Sequence, residues 1–196
     1  MAKKKRVNPH RIPISMKNVD KAAIINDASY ANLYFGWLLV LHAMLEQEAK
    51  TPEEIGKLWD AADRACVEEG LKQREIRKAE EIMGLREPYP NLNTYRIKSE
   101  VELRTFRERA RKNAIFLALC SICLGLDGGG LLDREQLRHI FANVALTLAE
   151  IEGGCTTYQE LAEKIAQYGL TVAETESEII LSATDEKKAG GLFEES

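Results

Sequence analysis

Residues 30–45 read YANLYFGWLLVLHAML and form the most apolar stretch of the chain. These 16 residues are fewer than the roughly 20 that a helix needs to cross a bilayer, and His42 lies among them. From about residue 18 onward, apolar side chains recur mostly at three- and four-residue steps, which is the period of an α-helix. We therefore predict a buried core helix at 30–45 and no membrane span.

Capping signals mark three further helices. Each signal pairs a short polar residue with Glu or Gln three positions later, which is a capping box; the pairs are Thr51 with Glu54, Asp133 with Gln136, and Thr157 with Glu160. Pro52 occupies the preferred first helical position. A helix is also predicted over about 72–83, ending at Gly84, and a long one over about 95–124, ended by Gly125 and the glycines at 128–130.

The two halves of the chain match when the first is shifted by 82 residues. The shift places Thr51 on Asp133 and Trp59 on Phe141; chance similarity between amphipathic helices is the alternative explanation. We predict an all-α protein in which two pseudo-repeated three-helix units form a helical bundle, with a flexible basic N-terminal arm. The predicted divisions are the basic arm (1–15), helical unit one (16–86), a linker (87–93), helical unit two (94–170) and an acidic C-terminal tail (171–196).

Charge alternates in blocks along the 196 residues, although the formal net charge is only −4. Residues 1–21 carry net +6, 22–71 net −6, 72–112 net +5 and 113–196 net −9. Local charge sets the field that a partner meets, so these blocks point to binding surfaces.

Two sets of charged residues are candidates for a partner contact, with solvated helix faces as the alternative for each. The basic set, for a protein partner or nucleic acid, is Lys3, Lys4, Lys5, Arg6, Arg11, Arg74, Arg77, Lys78, Arg104, Arg107 and Arg111. The acidic set, which could imitate the phosphates of nucleic acid, is Glu53, Glu54, Asp60, Asp63, Glu68 and Glu69. Arg104, Arg107 and Arg111 share one face of a helix because they lie three and four residues apart.

Other motifs point away from catalysis. Cys120 and Cys123 have Cys-x-x-Cys spacing but lie in an apolar helix, which favours buried structural cysteines over a zinc or redox site. The turn expected at 126–133 matches neither a calcium loop nor a phosphate loop. Residues 157–181 are spaced like a helix-turn-helix, but the glutamates of its second helix would repel DNA phosphates. We predict no catalytic residue, no metal and no cofactor.

A family resemblance starts at the N-terminus. Residues 2–13, AKKKRVNPHRIP, and residues 19–22, VDKA, resemble the start of small uncharacterised proteins from phages and mobile elements of Firmicutes. The stretch from Gly130 to Leu170 is similar to a glycine turn, helix and short capped helix in the same proteins, although this chain holds two such units. The resemblance carries no catalytic residues.

The resemblance implies an accessory protein of a mobile element, and inhibitors of host defence, anti-CRISPR proteins among them, are common in that class. We expect a non-enzymatic protein that binds and inhibits a host defence nuclease, with a CRISPR effector as the target, in the bacterial cytoplasm. The alternative is a DNA-binding accessory protein that uses the basic arm and the basic face of residues 72–112 on double-stranded DNA. An enzyme is the least favoured class.

Overall fold

The computed structural model describes residues 19–30, 32–65, 71–174 and 179–183. Several sequence predictions lie outside these residues. They are the basic arm at 1–15 with Lys3, Lys4, Lys5, Arg6 and Arg11, and the acidic residues Glu68 and Glu69.

The described chain is mostly helical. Its helices are α1 (Lys21–Tyr30), α2 (Asn32–His42), α3 (Pro52–Ala65), α4 (Gln73–Met83), α5 (Glu100–Gly129), α6 (Arg134–Glu152) and α7 (Tyr158–Gln167). A π-helical turn, Ala43–Gln47, continues α2, and a short 3-10 helix, Leu92–Thr94, precedes α5. The helical class that the sequence predicts is confirmed.

A small antiparallel sheet departs from the all-α prediction. Strand β1 (Leu170–Glu174) pairs with β2 (Ile179–Ala183), with Leu170 opposite Ala183 and Glu174 opposite Ile179. Apart from Leu170, both strands lie in the region, 171–196, that the sequence analysis assigns to an acidic tail. The strands are rich in Val, Ile and Thr, which favour extended backbone, and β1 packs on α2 and α7.

The capping predictions are confirmed at α3, α6 and α7. At α3 the Thr51 backbone N–H donates to Glu54 Oε2 at 2.7 Å, and the Glu54 N–H donates to Thr51 Oγ1 at 3.3 Å. Asp133 with Gln136 and Thr157 with Glu160 form the same reciprocal boxes. The start of α5 was predicted too early, because Ser99 caps it: its Oγ accepts from the Glu102 N–H at 3.2 Å.

The apolar stretch at 30–45 is the centre of the core, as predicted. Residues 36–45 are all buried, and α2 crosses α5 where Gly36 lies against Ala118. A Cβ on Gly36 would stand 3.2 Å from the Ala118 Cβ, so the missing side chain lets the two helices approach closely.

Two helical stretches, Lys21–Glu46 and Glu100–Gly129, are long and apolar enough to cross a membrane by length and composition alone. In the fold, 73% and 61% of their most apolar windows are buried against other parts of the chain. Core helices of this kind pass the same test of length and composition, so the finding is weak evidence for a membrane span.

The predicted end of α5 after Leu124 is too early, because the helix passes through Gly125 and continues to Gly129. Gly125 is buried inside α5, where a Cβ would lie 2.9 Å from the backbone oxygen of Ala62 in α3. The glycine therefore serves close packing between α3 and α5, and its weak helix propensity is overridden. Gly130, with φ +67°, adopts the left-handed conformation that ends the helix.

The segment that was predicted as a linker, 87–93, lies along α5. Asn113 of α5 accepts the Tyr89 backbone N–H at 3.0 Å and donates to the Tyr89 carbonyl and to Glu87 Oε1, both at 2.9 Å. Leu92 packs with Phe106 and Ala110 in a second, smaller apolar cluster. These contacts attach the proline-containing segment to the first half of α5.

Candidate binding surface

Three arginines form an exposed row on the first half of α5. Arg104, Arg107 and Arg111 are all exposed, and the row spans about 10 Å along the helix axis. None of the three has a carboxylate partner in the part of the chain that the structure describes. We call this row the arginine face. Its charges are available to an anionic partner without breaking an ion pair of the described fold.

Aromatic rings hold one end of the arginine face in place. The Arg111 guanidinium lies over the Phe35 ring at 5.0 Å and over the Tyr158 ring at 5.9 Å from the ring centres. The two rings contact each other with centroids 4.5 Å apart. Stacking of this kind orients a guanidinium and leaves its N–H edges free to donate. Arg111 is therefore better ordered for binding than a lone surface arginine.

Beside Arg111 lies a cavity of about 470 Å³, which we call the α5–α6 pocket. Its apolar lining includes Ile115, Phe116, Leu119, Leu148 and Ile151. Pockets for small molecules are of this size and are mostly apolar, with a few polar groups that set orientation.

Charged groups surround the opening of the pocket. Lys112 is paired there with Glu152 at 2.7 Å and lies 3.9 Å from Glu108. The hydrogen bond to Glu152 raises the pKa of Lys112, which favours its charged form. Exposed Arg86 and Arg111 also line the pocket. The opening thus carries an excess of positive charge.

The basic residues of α4 lie elsewhere. Lys78 pairs with Asp127 at 2.7 Å, and Arg74 and Arg77 line the same shallow groove on α4 as Lys78. Asp127 stands about 24 Å from Arg111 along the α5 axis. Arg77 and Arg86 nevertheless line one groove, and Arg86 and Arg111 both line the α5–α6 pocket, so Arg86 connects the α4 residues to the arginine face. Asp127 also corrects the predicted turn at 126–133, because it is helical and holds α4 against the end of α5.

Several members of the acidic set have partners within α3. Glu54 is the capping residue, and the hydrogen bond from the Thr51 backbone lowers its pKa. Glu53 pairs with Lys57 at 2.8 Å, one turn along the exposed face of the helix. Asp60 and Asp63 are exposed. The acidic set thus contributes to helix stability as well as to surface charge.

The cysteines of the Cys-x-x-Cys spacing and the described histidines have no reactive setting. Cys120 and Cys123 are fully buried, and burial raises the pKa of both thiols, that of Cys120 to about 12. His42 is 5% exposed, and neither ring nitrogen has a hydrogen-bond partner in the described chain. Burial lowers the His42 pKa, so the ring is neutral at pH 7. His139 is exposed on α6.

Residues that assemble these features escaped the sequence analysis. The sequence analysis singled out none of Phe35, Tyr158 and Asn113, yet they position Arg111 and the segment at 87–93. Ser99 with Glu102 was a readable capping signal, whereas the ring contacts join residues far apart in sequence and leave no local pattern. Among the described residues, no group of three or more His, Cys, Asp or Glu side chains is placed to hold a metal ion.

Comparison of the chain with protein-family models, with curated proteins and with solved structures gives no match. The function is therefore inferred from the residues of the chain and from the surfaces that its fold presents.

Proposed function

We propose that the protein is a non-enzymatic protein of a phage or mobile element that binds and inhibits a host defence nuclease. The proposed target is a CRISPR effector nuclease, and the proposed location is the cytoplasm of the bacterial host. The observation that carries the proposal is the arginine face, whose exposed charges have no carboxylate partner in the described chain. The resemblance of residues 2–13 to phage and mobile-element proteins supports the same class.

The arginine face suits a partner with clustered carboxylates. Guanidinium groups donate bidentate hydrogen bonds to carboxylates, and each charge-assisted contact is worth about 1.5 to 3 kcal/mol. Because the buried half of α5 anchors the helix, the arginines reach a partner without ordering a loop. The acidic set on α3 is the weaker candidate, since Glu53 and Glu54 already have partners within that helix.

We also propose that the helices form two pseudo-repeated three-helix units that make up one bundle. Gly36 and Ala118 occupy equivalent positions at the offset of 82, and they lie against each other where α2 crosses α5. Helix α2 packs on α6 and α7, whereas α5 packs on α3 and α4. A pseudo-two-fold axis through the crossing would exchange these two sets of contacts, which supports the proposal.

The test is DNA cleavage by a panel of purified RNA-guided effector nucleases, each incubated first with the full chain. We expect near-stoichiometric loss of cleavage for at least one effector. The variant Arg104→Gln/Arg107→Gln should weaken that inhibition about 100-fold, since two charge-assisted contacts are lost. The matched control Arg134→Gln/Arg138→Gln removes two exposed arginines from α6 and should inhibit like the unmodified protein. Unchanged cleavage across the panel, or an equal loss in both variants, contradicts the proposal.

The second candidate function is binding of double-stranded DNA through the basic arm and the basic residues of 72–112. The same unpaired arginines favour it, because they could neutralise phosphates. Arg86 also connects the α4 group to the arginine face, but Lys78 is already paired with Asp127, which lowers the charge available to phosphates.

Salt dependence and nuclease selectivity separate the two functions. A DNA-binding protein that neutralises three phosphates with the arginine face should lose affinity with a log–log salt slope of about −2.7. It would also protect DNA from an unrelated nuclease such as DNase I. Protection from one effector and not from DNase I, without a gel shift at low salt, supports the nuclease inhibitor.

A further inference from the structure

The α5–α6 pocket combines an apolar interior with cations at its opening. Ile115, Phe116 and Leu119 are each less than 7% exposed, so they form its inner wall, while Leu148 and Ile151 line it from α6. At about 470 Å³ the pocket can enclose a small molecule or a large side chain.

The cations at the opening are not equivalent. Lys112 already has the Glu152 carboxylate at 2.7 Å. Arg86 and Arg111 have no carboxylate partner in the described residues, and the Phe35 and Tyr158 rings orient Arg111. These two guanidinium groups are therefore the ones available to an anionic ligand.

The charge balance favours a ligand with one negative charge. Glu108 and Glu152 also line the pocket, so its three cations are opposed by two carboxylates and the lining carries net +1. A phosphate dianion would be repelled by these two carboxylates more strongly than a carboxylate would. Tyr158 also lines the pocket, and burial raises the pKa of its phenol, so this side chain adds no negative charge.

We propose that the α5–α6 pocket binds an amphipathic monocarboxylate, with the chain of a medium-length fatty acid against Ile115, Phe116, Leu119, Leu148 and Ile151, and the carboxylate at Arg86 and Arg111. The site shares Arg111 with the arginine face, but Arg104 and Arg107, the residues that test the nuclease contact, do not line the pocket.

The experiment is titration of the full chain with decanoate below its critical micelle concentration, followed by calorimetry and by NMR of the methyl groups. We expect saturable binding of one decanoate per chain. Each methylene group removed from the probe should weaken binding about three- to fourfold, because a shorter acyl chain buries less apolar surface in the pocket. Arg111→Gln should weaken decanoate binding about tenfold and leave binding of the uncharged 1-decanol unchanged.

Two variants keep the result interpretable. Leu148→Trp should fill the pocket and abolish binding of both probes, with thermal unfolding showing that the variant is folded. Arg138→Gln removes an exposed arginine from α6 outside the pocket and should bind decanoate normally.

Four results would overturn the proposal. They are no binding to the folded protein, equal affinity for decanoate and decanol, equal effects of Arg111→Gln and Arg138→Gln, and tighter binding of decyl phosphate than of decanoate. If decanoate does not bind but an acidic peptide containing leucine does, the proposal is wrong and the ligand of the pocket is a protein segment.

Discussion

The two halves of α5 belong to one uninterrupted helix but have opposite surroundings. The first half, 100–112, packs on α1, contributes Phe106 and Ala110 to the smaller apolar cluster, and exposes the arginine face. The second half, 113–129, lies between α2, α3 and α4, and most of its side chains are buried. The difference teaches that a rigid core element can carry binding residues beyond the core. Substitutions of buried residues in the second half should affect stability, and those of the exposed arginines in the first half should affect binding.

The largest expected effect lies in the buried half, at Gly125. Gly125→Val puts a β-branched side chain where a single Cβ would already be 2.9 Å from the Ala62 carbonyl oxygen. Because backbone must move, we expect the free energy of unfolding to fall by about 3 kcal/mol, at the upper end for overpacking. Chemical denaturation measures the loss.

The matched control is Gly56→Val in α3, where a Cβ meets nothing within 4 Å. Its free energy of unfolding should change by less than about 1 kcal/mol, because only helix propensity differs. Similar losses in the two variants would show that Gly125 does not set the α3–α5 distance.

A smaller effect is expected at Asn113, at the junction of the two halves. Asn113→Ala removes three hydrogen bonds to Glu87 and Tyr89 and leaves a half-buried backbone N–H and C=O without partners. We expect about 2 kcal/mol of lost stability and faster proteolysis within 86–94.

Asn93→Ala is the control for Asn113, because the exposed Asn93 side chain makes no hydrogen bond in the described chain. Equal proteolysis of the two variants would mean that the segment is held by other contacts, such as the stacking of Arg109 on Tyr89 and Tyr95.

The smallest expected effect is at the exposed start of α5. Ser99→Ala removes the side chain that accepts the Glu102 N–H, and losing a cap costs about 1 kcal/mol. In a chain of this size the melting temperature should fall by about 2 to 4 °C. Ser121→Ala, within the second half of α5, should leave it unchanged within about 1 °C. A drop in the Ser121 variant as large as in the Ser99 variant would reject the capping role.

Local patterns predicted the helices well because their causes are local. Caps such as Thr51 with Glu54 form between residues three apart, so both partners belong to one short sequence motif. The spacing of Arg104, Arg107 and Arg111 likewise placed them on one exposed face of α5. The strands escaped prediction because two such short runs gain a stable extended form only when they pair with each other and when β1 packs on α2 and α7 and β2 on α3.

The candidate site was only half predictable. Its charges were visible in the sequence, but their availability was not: Lys78 is engaged by Asp127, 49 residues away, while Arg111 is held by Phe35 and Tyr158. The pocket beside Arg111 joins residues from 85 to 158, and no periodicity records such contacts.

The sequence by itself determined the helical class, the capped starts of α3, α6 and α7, the apolar core around α2 and the alternation of charge. These features follow from side-chain chemistry acting over a few residues. The tertiary structure alone decided that α5 runs through Gly125, that 170–183 contains strands, and which arginines lack a carboxylate partner in the described chain. Those outcomes depend on backbone approach and on ion pairs between distant segments, whose energies appear only when the chain is packed.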